Sequence, residues 1–374
     1  MKKTVKGQSK TDKLIILIGK VFRKWKLSKN LPKVIFGKSY KIELEDISSY
    51  LEILNRYHPN LGESCIRETP VKSTNEFDIQ IIVPIYNVEK FLVKCLDSIL
   101  NQKTEAKFIV TAVNDGSTDQ SASILNTYEN NPKIEIIHQK NTGLSGARNK
   151  ALENIKAKYV MFVDSDDFIP EGTLQSLYEK SKQCASEIIG GGFRYVDSDY
   201  NEMKVKFPNK GASFGYAWGK LYRAEIFEKI KFPEKYIFED TINNLIISPS
   251  AKNIDNINSI VYNYYKNTKS ISRSVSKNPK ILDTIYVTLQ LMKDRKTLRL
   301  SDNLNFYNRL LNQFFCNQNR IFLLKDSNID TIHFLLCCKV IEEYMEFTTN
   351  NKRFKLLEWS LKNKNFKAFI FACS

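Results

Sequence analysis

A chain of 374 residues is long enough for one large α/β domain with additions or for two or three units. Its formal charge of +16 is concentrated at the ends: residues 1–40 hold 12 Lys/Arg against one Asp, residues 351–374 hold 6 against one Glu, and residues 41–350 are neutral. A neutral folded body disfavours nucleic acid as a partner, basic ends suit an anionic membrane surface, and seven cysteines with no paired CxxC spacing suggest neither a zinc site nor a disulfide framework.

The cysteine usage fits a reducing cytoplasm. The longest early apolar run, Leu14 to Ile18, is far short of a membrane span and lacks a signal-peptide cleavage site. Leu14, Leu17, Ile18, Val21, Phe22 and Trp25 recur at helical spacing opposite Lys13, Lys20, Arg23, Lys24 and Lys26, which reads as a basic amphipathic segment over residues 1–43. Residues 44–77 read as a helix with Asp46 as its N-cap, followed by a Pro- and Gly-punctuated linker.

From Ile79 the pattern changes to short apolar strands alternating with helices. Strands are expected at Ile79–Pro84, Phe108–Val113, Ile134–His138 and Tyr159–Val163, and helices at Val88–Leu100, Thr118–Tyr128, Ser145–Ile155 and Thr173–Ser181. Strand then helix, four times, is an α/β pattern with a mostly parallel sheet. A Gly190-Gly191-Gly192 turn is expected to lead into a fifth strand at Phe193–Val196. No GxGxxG follows the first strand, which disfavours a dehydrogenase.

The fourth strand ends in Asp164-Ser165-Asp166-Asp167. Carboxylates this crowded repel one another unless a cation or donors neutralise them, and a hard divalent ion held by one or two carboxylates plus phosphate oxygens does so. The same residues also suit a solvated turn capping the next helix. Each of the other three strands also ends in a polar cluster: Pro84-Ile85-Tyr86-Asn87, Asn114-Asp115-Gly116-Ser117-Thr118-Asp119, and Asn141 to Asn149, which contains Arg148. Singly, such clusters are ordinary turns; four on one sheet edge build a pocket. Asp115 can accept from the imide N–H of a pyrimidine, Tyr86 can present a ring or hydroxyl, and Gly116 lets the backbone approach closely. Arg148 can meet a phosphate or orient an acid.

These four motifs, in this order and spacing, resemble the family-two inverting glycosyltransferases of bacterial polysaccharide synthesis, whose nucleotide-sugar-binding fold is called GT-A. The resemblance covers residues 78–272. It implies that Asp115 recognises uracil, that Pro84, Tyr86 and Asn87 line the nucleoside pocket with Gly116, Ser117, Arg148 and Ser165 about the donor, that Asp164 contacts ribose or metal, and that Asp166 holds Mn²⁺ or Mg²⁺. Trp218-Gly219-Lys220 and Phe238-Glu239-Asp240-Thr241 resemble the family's acceptor-side segment, which implies Asp240 as catalytic base with Trp218 and Glu239 beside the acceptor. By residue type alone, Glu239-Asp240 would equally cap a helix at Thr241–Ile247. Val261 to Ser272 resembles the closing strand and loop; Lys266 stands where relatives often have Arg and lacks the bidentate fork.

Residues 273–374 read as a helical region whose basic, aromatic end binds a membrane or packs on the protein. The resemblance implies an inverting, metal-dependent glycosyltransferase moving a sugar from a nucleoside-diphosphate donor, UDP above all, to a hydroxyl of a growing polysaccharide or lipid-linked glycan, and the basic chain ends lead to the expectation that it works in the cytoplasm at the inner membrane face. Its rivals are a catalytically silent assembly partner and a related nucleotidyl or sugar-phosphate transferase.

Overall fold

The computed structural model describes residue 44 and residues 46–266 and 278–374. The basic segment expected over residues 1–43 and the loop through Ser270–Ser272 lie outside the described residues. The chain divides into two units. One takes its described residues from 62–266 and 290–300, and the other from residues up to 61, 278–289 and 301–374.

The first unit is an eight-stranded sheet in the order β3-β2-β1-β4-β7-β5-β6, with β8 paired to β5. The strands are β1 (Phe77–Ile85), β2 (Phe108–Asp115), β3 (Ile134–Gln139), β4 (Ala157–Phe162), β5 (Ile188–Val196), β6 (Glu202–Lys206), β7 (Lys220–Arg223) and β8 (Ile254–Tyr265). β1 pairs in parallel with β2 on one side and β4 on the other, and β2 with β3, while β7 joins β4 antiparallel. β1 and β2 read as near-continuous apolar runs because helices cover both faces of a parallel sheet, so both sides of each strand are buried. The chain leaves β1 in opposite directions towards β2 and β4, and such a reversal of strand order opens a crevice at the carboxyl edge. The four motif clusters lie at that edge.

Two sequence expectations change here. Gly190, Gly191 and Gly192 lie inside β5 and make no turn. A Cβ on Gly191 would come within 2.7 Å of Val261 and 2.8 Å of the Ser259 carbonyl, so the glycines let β8 lie close against β5. Within residues 59–77, read as a linker, the stretch from Glu63 to Thr74 is bonded into the sheet unit: the N–H groups of Glu63, Arg67, Val71 and Thr74 donate to the carbonyls of Glu234, Lys229, Glu228 and Ile155. The helix expected after Asp240 is present, but Asn243–Ile247 is widened into a π-turn.

The second unit contains the helix Ile47–Asn55, which Asp46 caps through Oδ1 as expected. It also contains Leu304–Ile321, Ser327–Ile341, Lys355–Lys362 and Phe366–Cys373. The last two turn part of their apolar face inward. Leu357, Leu361, Phe369 and Ile370 are buried, and Phe334 packs against Phe366 and Phe369 at centroid separations of 5.4 and 5.1 Å. Of the two options for the carboxyl end, packing on the protein is the one these contacts show. Among the described residues no helix is long and apolar enough to cross a membrane.

Candidate active site

The β2 edge is built around Asp115. Its Oδ1 accepts from Gln139 Nε2 (2.7 Å), the Thr142 N–H (2.8 Å) and Thr142 Oγ1 (3.2 Å), and its Oδ2 accepts from the Gly143 N–H at 2.8 Å. A carboxylate from one strand thus caps the helix Gly143–Ala151, which we call α1, where unpaired N–H groups gather. Gly116 has φ +71°, and a Cβ there would meet the Asn141 nitrogen at 2.9 Å, so this turn needs glycine. Asn87 ties the β1 loop to the β2 loop: its N–H donates to Ser117 Oγ and its Oδ1 accepts from the Thr118 N–H at 2.8 Å. Tyr86 is 48% exposed beside it, while Pro84 is buried in β1.

α1 delivers Arg148, which is 1% exposed. That burial removes the phosphate option and leaves the acid-orienting one. Nη2 donates to Asp164 Oδ1 and Nη1 to Glu239 Oε1, both at 2.9 Å, and Nη1 lies 3.7 Å from Asp240 Oδ1. Phe232 and Phe162 face the guanidinium at 5.0 and 5.9 Å. Burial alone would lower the Arg148 pKa, but Asp164, Glu239 and Asp240 raise it overall. It is a fixed cation among three acids.

Those acids differ. Glu239 is buried, and burial followed by the charge of Asp240 pushes its carboxyl up to about 8 against the pull of Arg148. It serves Arg148 and does not reach outward to an acceptor. Asp240 keeps 37% of its side chain exposed, while its Oδ1 is buried without a hydrogen-bond partner. Burial raises its pKa, with Arg148, Lys220 and the Ala217 N–H opposing. A partly exposed carboxylate with an unsatisfied oxygen and a raised pKa can take a proton.

In the turn just after β4, Asp164 and Asp166 are partly exposed and Ser165 is buried. Asp167 is 2% exposed and is structural: Oδ2 accepts from the Tyr262 hydroxyl at 2.8 Å and Oδ1 from the Tyr265 N–H at 2.7 Å. Burial, then the neighbouring Asp166 and Asp164, push its pKa well up. The Tyr262 hydroxyl also accepts from the Asp164 N–H at 3.0 Å. Trp218, expected beside an acceptor, is 5% exposed and stacked between Tyr216 (4.6 Å) and Tyr262 (4.2 Å). Sequence reasoning missed Tyr262 and the structural role of Asp167; the third acid of the cluster was their signal.

A mostly parallel sheet flanked by helices, with an acid cluster at its carboxyl edge, is the GT-A architecture of glycosyltransferases. Residues 80–245 match the family described as Glycosyl transferase family 2, and the chain carries a glycosyltransferase domain of that family. It is similar to the glycosyltransferase GlyA of Streptococcus pneumoniae, 35% identical over 52% of this chain and 31% of that protein. It is also similar to the uncharacterized glycosyltransferase EpsJ of Bacillus subtilis, 34% identical over 52% of this chain and 62% of that one. The chain thus spans about a third of the first relative and under two thirds of the second. Among solved structures, S. aureus TarS superposes with a TM-score of 0.57 at 20% identity, covering 78% of this chain and 54% of that one. A shorter TarS form in complex with UDP-GlcNAc gives 0.52 at 19% identity, covering 78% and 89%. At these identities the structural likeness concerns the fold.

Proposed function

We propose that this protein transfers a glycosyl residue, with inversion, from a UDP-sugar to a hydroxyl of a bacterial surface polysaccharide or a lipid-linked precursor of one. The observation that carries this reading is the shared guanidinium. Arg148 bonds Asp164 at the end of β4 and lies 3.7 Å from Asp240, so the donor-side and acceptor-side acids stand in one rigid frame. Asp240 takes the proton of the attacking hydroxyl, a contribution of about 10²–10⁴ in rate. Tyr86 offers an exposed ring to the base, and Asp115 Oδ2, with Gly143 as its donor, retains a lone pair for the uracil imide. A single displacement requires no carboxylate nucleophile, so the anomeric configuration inverts.

The donor set suits Mn²⁺ or Mg²⁺. Among the described residues no three His, Cys, Asp or Glu side chains form a cage for a metal, whereas Asp164 and Asp166 offer two hard carboxylates on one turn. Magnesium-like ions use one or two carboxylates and complete their shell with phosphate oxygens and water. Such an ion, when bound, neutralises charge on the departing diphosphate. Support for the donor and acceptor classes comes from the UDP-GlcNAc in the TarS complex and from relatives such as the poly(ribitol-phosphate) beta-glucosyltransferase of Bacillus spizizenii. The net charge of +11 on residues 1–40 supports association with the cytoplasmic face of an anionic membrane.

The test incubates the protein with UDP-sugars and glycan acceptors, with Mn²⁺ or with EDTA, and reads UDP release and the anomeric signal of the product. Asp166→Ala is expected to abolish transfer. Unchanged turnover in EDTA removes the metal from the scheme, and release of pyrophosphate in place of UDP makes the protein a nucleotidyltransferase.

A further inference from the structure

The helix after Asp240 has a fault written in its sequence. In an α-helix the Leu245 carbonyl would accept from the N–H of residue 249, but Pro249 has no N–H and its ring clashes with the carbonyl four residues back. The chain widens into the π-turn Asn243–Ile247, where the Ser248 N–H reaches the Asn243 carbonyl. Leu245 is fully buried, so its carbonyl needs a donor from elsewhere. Arg295 supplies it: Nη1 donates to the Leu245 oxygen at 2.9 Å, and the arginine is 2% exposed. The π-turn in turn adjoins Asp240, whose carbonyl accepts from the Asn243 N–H at 2.9 Å.

The preceding residue works towards the other side of the site. Asp294, also 2% exposed, accepts from Ser64 Oγ at 2.9 Å and from the Cys65 N–H at 2.8 Å. This strap bonds to residues 231–234, since the Lys231 N–H donates to the Cys65 carbonyl at 2.7 Å and the Glu63 N–H to the Glu234 carbonyl at 3.1 Å. The same stretch holds α1, because Ser145 Oγ donates to the Pro233 carbonyl and Asn149 Nδ2 to the Phe232 carbonyl, both at 2.8 Å. α1 carries Arg148.

We infer that Asp294 and Arg295, which lie outside the matched family domain, are positioning residues for the transfer reaction, fixing the turn behind Asp240 and the strap that supports the helix of Arg148. The inference rests on Asp240 being the base. Arg295→Met should lower kcat tenfold or more while leaving KM for the donor within twofold, because the donor edge of β1 and β2 is untouched. Arg295→Lys should recover part of that loss. In the Arg295→Met background, Pro249→Ala should recover more, since an amide at position 249 gives the Leu245 carbonyl its own donor. In a cycle with Asp240→Asn the two losses should overlap and not add. Wild-type kcat in a folded Arg295→Met protein, or a loss in donor KM as large as that in kcat, overturns the brace, as does full additivity with Asp240→Asn. An Asp240→Asn protein that turns over normally removes the base assignment by itself, whereas a normal Arg295→Met removes only the brace.

Discussion

Three carboxylates converge on the guanidinium of Arg148, and the geometry separates their duties. Asp164 and Glu239 receive separate nitrogens, while Asp240 stands at 3.7 Å with an unsatisfied oxygen. Asp240→Asn should therefore lower turnover by roughly 10²–10⁴ with donor affinity intact, measured as kcat against donor KM. Removing the cation is a different lesion. Arg148→Met leaves the buried Glu239 and the half-buried Asp164 without their donor and should cost about 3–5 kcal/mol in a urea melt. Arg148→Lys keeps the charge but brings one ammonium where two nitrogens bond two acids, so most activity should be lost despite conservation of charge. The sequence left Arg148 between a phosphate and an acid, because its type suits both; only its burial decides. Asp166 and Asp167 are adjacent acids of one type in the sequence, yet one is partly exposed and the other is locked beneath Tyr262. Which acid faces inward depends on β8, a strand that arrives nearly a hundred residues later.

At the scale of elements, β1, β2 and β4 were legible because strands of a parallel sheet buried on both faces announce themselves as near-continuous apolar runs, and their polar ends mark the ligand edge, while β3, last in the strand order, is mostly half-buried and reads by its Ile residues alone. The glycine triplet of β5 was misread because three consecutive glycines suit a turn in isolation. What requires them is β8, packed so near that a single methyl on Gly191 collides with both a side chain and a carbonyl. Gly191→Ala should cost about 1–3 kcal/mol by overpacking, read as a shift in denaturation midpoint at constant slope. It should also lower activity, because β8 carries Tyr262 and through it Asp164 and Asp167. Equal destabilisation with unaltered activity would separate β8 from the site. The π-turn was equally hidden: Pro249 signals a break in the helix, but the residue that repairs it lies 46 positions further on, beyond any local pattern.

Across the whole molecule, buried titratable groups in the two units set opposite pH limits. Glu239, in the sheet unit, has its carboxyl raised from 4.5 to about 8 in the folded state. Between those values the folded chain holds a proton that the unfolded chain has released, so stability is full below 4.5 and is lost as pH rises towards 8. His333, in the helical unit, is 2% exposed, its Nδ1 is 2.7 Å from Gln318 Oε1, and burial lowers its pKa from 6.5 to about 3. Here the unfolded chain takes up the proton, so stability is full above 6.5 and is lost as pH falls towards 3. Each group changes stability by at most about 1.4 kcal/mol per pH unit inside its window. Urea melts of the protein without added metal should therefore weaken at both pH extremes, with the sheet unit failing first on the alkaline side and the helical unit on the acid side. Trp218 and Trp359, one in each unit, give separate fluorescence signals once Trp25 is replaced. Glu239→Gln mimics the protonated carboxyl and should reduce the alkaline loss in the Trp218 signal alone, the raised Asp167 and Asp240 supplying the rest. His333→Gln, which cannot charge, should flatten the acid loss in the Trp359 signal alone. If either variant flattens both limbs, the two units unfold as one cooperative body and the assignment of each limb to its own unit fails.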